Sequence, residues 1–226
     1  MLVALFLVPR SASAQVGASV TLQSDFRYRG RSLSDEKPAL GLNLAYDHAS
    51  GAYLGATATA AKTSNDGIQL LRLVTYAGYV VKPRLGPALD LGFSNYRVAD
   101  FRGPKRTFDY DEVYAGVLTD HLSFRLNYAP NYYESRIHTL YADLAATAKV
   151  RPDTRAFAHV GVLAAVGGRI NPATRRKRYD FSAGVAKRLG RSELSLTWVG
   201  VSPQVVFSNG RKEAHDTLIV TASYAF

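Results

Sequence analysis

The stretch Leu122-Ser123-Phe124-Arg125-Leu126-Asn127-Tyr128-Ala129 decides the fold. Large apolar residues take the even positions, and Ser, Arg, Asn and Ala take the odd ones. A period of two marks an extended strand with unlike faces. The rhythm continues outward in both directions. Leu140, Ala142, Leu144, Ala146 and Ala148 oppose Tyr141, Asp143, Ala145 and Thr147. Leu89, Leu91 and Phe93 oppose Asp90, Gly92 and Ser94, and Leu40, Leu42, Leu44 and Tyr46 oppose Gly41, Asn43, Ala45 and Asp47. At the start, Val16, Ala18, Val20, Leu22, Phe26 and Tyr28 share one face, with Gly17, Ser19, Thr21, Gln23, Asp25 and Arg27 on the other. No comparable stretch shows the three-and-four spacing of an amphipathic helix. The chain reads as all-β.

About twelve such segments occur, at roughly 16–28, 38–48, 52–62, 68–81, 87–97, 110–119, 122–134, 138–150, 155–167, 178–189, 192–202 and 214–226. Each has the ~9–11 residues with which a tilted strand crosses an outer membrane, whereas strands of soluble domains average ~5–6. Tight turns at 48–51, 82–86, 120–121, 151–154 and 190–191 face longer connections at 29–37, 98–109, 168–177 and 203–213. The connections at 63–67 and 135–137 are short and break the alternation. The expected architecture is a closed antiparallel up-and-down transmembrane β-barrel with short periplasmic turns and longer extracellular loops. An even strand count puts both ends of the barrel on the short-turn side. The loop 98–109, with Gly103-Pro104-Lys105-Arg106, is long enough to fold into the mouth as a constriction.

Period two alone does not say which face is outside, because a soluble barrel or sandwich would turn its apolar face inward. The polar faces carry Gly, Ala, Ser and Thr with sparse charges of both signs, which suits a lumen better than a wall in open water. Tyr28, Tyr46, Tyr53, Tyr79, Tyr132, Tyr179 and Tyr224 fall near strand ends, where interfacial girdles form. The chain stops inside a strand, Leu218 to Phe226, with Tyr224 and Phe226 on its apolar face. A terminal aromatic of this kind resembles the assembly signal read by the machinery that inserts bacterial outer-membrane barrels.

Ahead of the barrel, the apolar Leu2–Val8 leads through Pro9 and Arg10 to Ser11-Ala12-Ser13-Ala14. Ala12 and Ala14 form an A-x-A cleavage pattern, so residues 1–14 read as a signal peptide and 15–226 as one exported barrel domain. No Lys or Arg precedes the apolar run, which points to a translation start upstream of Met1.

Composition removes other classes. The 226 residues include no cysteine, so disulfides, thiolate metal sites and a cysteine nucleophile are excluded. No apolar run approaches the ~18–20 residues of a spanning helix, and fourteen tyrosines with ten phenylalanines argue against disorder. The net charge of +10 favours anionic partners. Nucleic acid is a poor candidate, because no recognition helix, RNP-like motif or zinc spacing occurs.

The run Ser24-Asp25-Phe26-Arg27-Tyr28-Arg29-Gly30, with Ser32, Ser34, Asp35 and Lys37-Pro38-Ala39, resembles the opening of the TorF-family porins. Tyr46-Asp47-His48-Ala49-Ser50-Gly51-Ala52-Tyr53-Leu54-Gly55 is similar to that family's second turn. The specific match covers residues 24–55, and the remainder agrees in length, strand rhythm and ending. The resemblance implies a porin barrel in the outer membrane of a Gram-negative bacterium and brings no catalytic residues with it.

The leading functional expectation is therefore passive diffusion of small solutes. Eight-stranded barrels are filled by their own side chains and sixteen-stranded ones are wide, so twelve strands suggest a narrow pore tuned by a few lumen charges. Candidates are Arg27, Arg72, Arg125 and Arg155 against Asp25, Asp90, Glu112 and Asp143, several of which are placed to pair across the lumen. Arg169, Arg175, Arg176, Lys177 and Arg178 put five basic residues into one loop, with no acid between them. Facing outward, they would meet lipopolysaccharide phosphates and favour small anions modestly. The remaining partners are outer-membrane lipid and, through Tyr224 and Phe226, the insertion machinery; no cofactor is called for. Two alternatives stand beside the pore. A closed structural barrel would lock these charges into ion pairs and conduct nothing. A lipase-like membrane hydrolase would need a histidine base: His48 and His121 fall at periplasmic turns, and His159 faces the lumen near Asp143. His138 beside Ser135, and His215 beside Ser208 and Asp216, lie at the outer rim without a G-x-S-x-G or H-E-x-x-H motif.

Overall fold

Alternating residues become a membrane wall only when the strands close on one another, and the computed structural model shows that closure. It describes residues 15–63, 67–100, 106–134, 136–170, 177–202 and 216–226. The strands are β1 (Gln15–Gln23), β2 (Arg27–Tyr28), β3 (Arg31–Ser32), β4 (Ala39–Asp47), β5 (Ala52–Thr63), β6 (Gly67–Val81), β7 (Ala88–Asp100), β8 (Arg106–Leu118), β9 (Leu122–Ala129), β10 (Ile137–Arg151), β11 (Thr154–Gly168), β12 (Arg178–Leu189), β13 (Ser192–Ser202) and β14 (Asp216–Ala225). Twelve of them form a closed antiparallel barrel in chain order, with β1 pairing both β4 and β14. The short strands β2 and β3 pair only with each other.

Burial fixes the orientation of the faces. Leu42, Leu44, Leu54, Leu91, Phe93, Val113, Leu126, Leu144, Val185 and Leu218 are all exposed on the outside. Their alternating partners, including Asp90, Ser94, Glu112, Asn127, Asp180 and Thr197, are buried inside. A continuous apolar belt of this extent cannot face water; it is the surface of a barrel set in lipid. Tyr79 and Tyr224 bound the belt near the short turns, and Tyr179 and Trp198 bound it near the long loops. Beyond it the outer face turns polar: Arg97 pairs with Asp109 at 2.9 Å, and Trp198 Nε1 donates to Asp216 at 3.0 Å. The chain's last aromatics, Tyr224 and Phe226, meet edge to face at 5.2 Å, and the Phe226 amide bonds to the Ala18 carbonyl.

The largest departure from the sequence reading is at the start. The segment expected to run as one strand over 16–28 stops at Gln23. Residues 24–38 then turn into the lumen instead of forming an outer loop. Ser24 anchors that turn to the last strand: its amide donates to the Val220 carbonyl at 3.0 Å, and its hydroxyl accepts from the Val220 amide at 3.1 Å. Phe26 and Tyr28 keep the alternation going, but both are buried inside. Tyr28 is thus absent from the outer girdle. So is Tyr53, whose hydroxyl donates to Asp90, and so is Tyr132, which packs on the buried Tyr110 ring. The ninth strand also ends early, at Ala129 rather than 134, and a single 3₁₀ turn follows over Tyr132–Glu134. The constriction expected from loop 98–109 comes instead from residues 24–38. Strands β7 and β8 take up most of that loop, and 101–105 lie outside the described residues.

Candidate functional site

The infolded segment is held together by one carboxylate. Asp25 accepts from Arg27 Nε at 2.7 Å, from the Ser32 hydroxyl at 2.6 Å and from the Ser34 hydroxyl at 3.0 Å. Ser34 also accepts from the Phe26 amide, and Ser32 from the Glu36 amide, each at 2.9 Å. The tip, Tyr28-Arg29-Gly30-Arg31, is a two-residue hairpin turn with both central residues left-handed, at φ 50° and 76°. That is the turn whose twist suits a β-hairpin. Gly30 is required twice over. Besides its positive φ, a Cβ there would lie 2.8 Å from the Val201 Cβ and 2.9 Å from the Asp180 Cβ. The hairpin tip therefore packs directly against the wall at β12 and β13.

The wall is shaped to receive it. Strand β6 carries a bulge opposite Thr59/Ala60, where Arg72 pairs with Thr59 and Leu70 with Ala60, leaving Leu71 as the extra residue. A bulge re-aims side chains, and here Leu71 and Arg72 are both buried inside. Leu71 packs with Phe26, Ala39 and Ala61, and the partly buried Leu33 lies against them. The Arg72 guanidinium lies 4.3 Å from the Tyr28 ring centre, 5.4 Å from Tyr96 and 5.8 Å from Phe26.

Arg29 at the tip makes the main charged link to the wall. Its Nη2 reaches both Glu112 oxygens, at 2.7 and 2.8 Å. Its guanidinium also stacks over Tyr141 at 4.0 Å. Tyr28 and Tyr110 share a hydroxyl hydrogen bond at 2.9 Å, and Tyr96 stacks on Tyr110 at 4.8 Å. On the long-loop side, Tyr132 and Tyr133 cap Tyr110 with ring centres 5.0 and 5.3 Å away. Burial pushes the Tyr133 hydroxyl above the usual phenol range.

Towards the short turns the lumen charges pair between wall strands. Arg125 bonds to Asp90 at 2.6 Å and lies 4.4 Å over Tyr114. His159 Nε2 meets Asp143 at 2.9 Å, and its Nδ1 lies 3.6 Å from Asp180. Arg155 bonds to Glu193 at 2.6 Å. A different surface lines the wall from β13 through β14, β1 and β4 to β5. Its inward residues include Ser195, Thr197, Thr221, Ser19, Thr21, Asn43 and Thr57, all uncharged.

All eight lumen candidates thus face inward, Asp25 and Arg27 on the hairpin and the other six on the wall. The structure joins Asp25 to Arg27, Asp90 to Arg125 and Asp143 to His159, and gives Arg155 and Glu112 partners that the sequence reading had not named. It missed Arg29, the tyrosine cluster, Asp180 and Glu193. An Arg-Gly pair between two short alternating runs was the available signal for the hairpin tip. In the basic loop, Arg175 and Arg176 lie outside the described residues. Arg169 and Lys177 are exposed at the rim, while Arg178 begins β12 on the inward register beside the buried Asp180. Of the histidines, His48 and His121 are exposed in short turns, and His215 lies outside the described residues, as does Ser135. His138 sits on the outer face with its Nδ1 2.9 Å from the Tyr128 hydroxyl.

Comparison with known proteins agrees with this geometry at the level of fold. The NanC porin superposes with a TM-score of 0.58 at 10% identity, over 93% of this chain and 99% of that one. A second structure, from work on the in-meso crystallization of membrane proteins, gives 0.53 at 12% identity, over 94% and 83%. The DcaP outer-membrane channel of Acinetobacter baumannii gives 0.45 at 10% identity, over 96% and 98%, too distant to carry argument. No curated protein matches the sequence. A family model, described as a bacterial protein of unknown function (Gcw_chp), matches residues 9–226, and the chain belongs to that family.

Proposed function

We propose that the protein is a porin-like channel of the bacterial outer membrane, passing small solutes by diffusion, with residues 24–38 as its internal gate. The observation that carries this reading is the chemistry of the plug. A barrel that only needed filling could be filled by the side chains of its own wall strands. This one is filled by a hydrophilic hairpin whose charges pair within itself and with the wall. Such a segment keeps a water-compatible surface when it moves, which suits a gate in an aqueous passage. The resemblance of residues 24–55 to TorF-family porins and the fold shared with NanC support the same reading, and so does the terminal aromatic strand that suits barrel insertion. The longer connections then face outward and the short turns face the periplasm. Arg169, Arg175, Arg176 and Lys177 meet lipopolysaccharide phosphates at the outer rim, and Arg178 adds positive charge inside the mouth. Small anions are favoured there.

The burial of the plug supports a second reading, a closed structural barrel. An enzyme reading has less support, since His138 is engaged by a tyrosine on the outer face and His159 lies between two carboxylates. Planar-bilayer recording separates these readings. The wild-type protein is expected to open rarely, whereas a variant with residues 27–32 replaced by a Gly-Ser linker gives steady steps, anion-selective under a salt gradient. Silence from both proteins, each shown to be folded by heat-modifiable migration, would remove the channel reading in favour of the structural barrel. If His138→Ala or His215→Ala abolished a measured lipid hydrolysis while leaving the barrel folded, the reading as a non-enzyme would fail.

A further inference from the structure

Arg29 and Arg72 bring two guanidinium groups to one tyrosine ring, 5.0 and 4.3 Å from the centre of Tyr28. Both side chains belong to residues more than nine-tenths buried. Glu112 is the acid that pairs with Arg29. No carboxylate among the described residues comes within ion-pair distance of Arg72. Two buried cations, only one of them ion-paired, therefore lie in a site walled by Phe26, Tyr28, Tyr96, Tyr110 and Tyr141, with Asp180 behind, accepting from the Tyr141 hydroxyl. Aromatic faces offset part of the cost of burying the second charge, but they leave its N–H donors unused.

The unused donors lie on both arginines. Arg29 spends only Nη2 on Glu112, and its Nε and Nη1 have no hydrogen-bond partner; Arg72 Nε has none either. A guanidinium is a planar fork matched to the paired oxygens of a carboxylate or phosphate. Their distances to the shared ring put the two guanidinium carbons no more than about 9 Å apart. We infer that Arg29 and Arg72 form a binding site for a small carboxylate- or phosphate-bearing solute, which displaces Glu112 from Arg29. The site deepens the channel reading and rests on it for how the anion arrives. One of its two arginines is on the plug and the other on the wall, so an anion competing for Arg29 also loosens the charged link that holds the hairpin. The Tyr132–Tyr133 cap covers the long-loop side and moves aside as the anion enters.

Isothermal titration of the detergent-solubilised protein tests the site without requiring conductance. Succinate and inorganic phosphate are the probes, and the neutral succinamide is the control. Wild-type protein is expected to bind both anions and not the amide. Arg72→Gln weakens binding at least tenfold, whereas Glu112→Gln tightens it several-fold because the internal competitor is gone. That gain is the signature that a merely structural ion pair would not give. No binding of either anion, equal binding of succinamide, or unchanged affinity in Arg72→Gln would each overturn the proposal. If Arg72→Gln loses heat-modifiable migration, Arg72→Lys replaces it: it keeps the charge but not the fork, and unchanged affinity there is equally fatal. Single-channel recording on the same preparations separates the two claims. Binding without conductance leaves the site and removes the channel, and conductance without binding does the reverse.

Discussion

The two halves of the lumen handle charge differently. Near the short turns the ion pairs join wall strand to wall strand: Arg125, partly open to solvent, with the buried Asp90, and Arg155 with Glu193, both partly open. Near the long loops the corresponding pair, Arg29 with Glu112, joins the hairpin to the wall, with both side chains nearly sealed off from water. The first arrangement stiffens a barrel that closes without it. The second makes the position of the infolded segment depend on a pair that is costly to break. The same residue types thus brace the wall in one half and latch the plug in the other, and burial makes the difference.

The largest expected effect comes from the hairpin tip. Gly30→Val puts a branched side chain at a positive φ and against Val201 and Asp180, a penalty of roughly 3–5 kcal/mol when strain and overpacking act together. The hairpin should unseat while the barrel survives, read as new protease cleavage within 24–38 and a large rise in conductance. If Gly30→Val stays protease-resistant and conducts as wild type does, the plug is not positioned by its tip and the contrast collapses. Glu112→Gln removes one member of a buried pair and should cost about 3 kcal/mol, measured by urea unfolding of the reconstituted protein, with more frequent openings. Asp25→Ala leaves Ser32, Ser34 and Arg27 without their shared acceptor and should loosen the hairpin by about 2 kcal/mol, seen as faster hydrogen exchange over 24–38 with the wall unchanged. Arg155→Gln should change stability by less than about 1 kcal/mol, an effect that fades in high salt. A loss from Arg155→Gln as large as that from Glu112→Gln would show that both halves are latched alike.

The barrel wall was legible because a period of two sustained over eight to fifteen residues has one structural meaning. From Ala39 onward the strand ends read from sequence lie within about four residues of those observed, except where β9 gives way to the turn at Tyr132. The plug was not legible for the same reason. Asp25 and Arg27 alternate with Phe26 and Tyr28, so the rhythm of β1 carries on past its end. Period two reports extended backbone and two faces, and it cannot tell a strand in lipid from a hairpin buried on both faces. Burial on both sides is set by the wall, through Leu71, Arg72, Glu112 and Val201, which lie far off in sequence. The charged candidates were found because a charge on the polar face of a membrane strand has only the lumen to occupy. The contact of Asp143 with His159 on the next strand was legible too, but the partner of Glu112 was not, since pairing across 83 residues, as between Arg29 and Glu112, depends on where the hairpin comes to rest. Of residues 24–55, which carry the resemblance, 24–38 are the plug itself.

The anchorage of Ser24 to Val220 spans 196 residues. During synthesis the hairpin leaves the ribosome near the beginning of the chain, while the surfaces that receive it, Asp180, Val201 and Val220, are made last. Until the final strand joins the first, the hairpin has only part of its seat, on β6 and β8, and contacts so distant in sequence form slowly. Seating of the plug is therefore a late step that reports a completed barrel: an unfinished one would leave a charged segment, with three arginines and one lysine, loose and open to proteolysis.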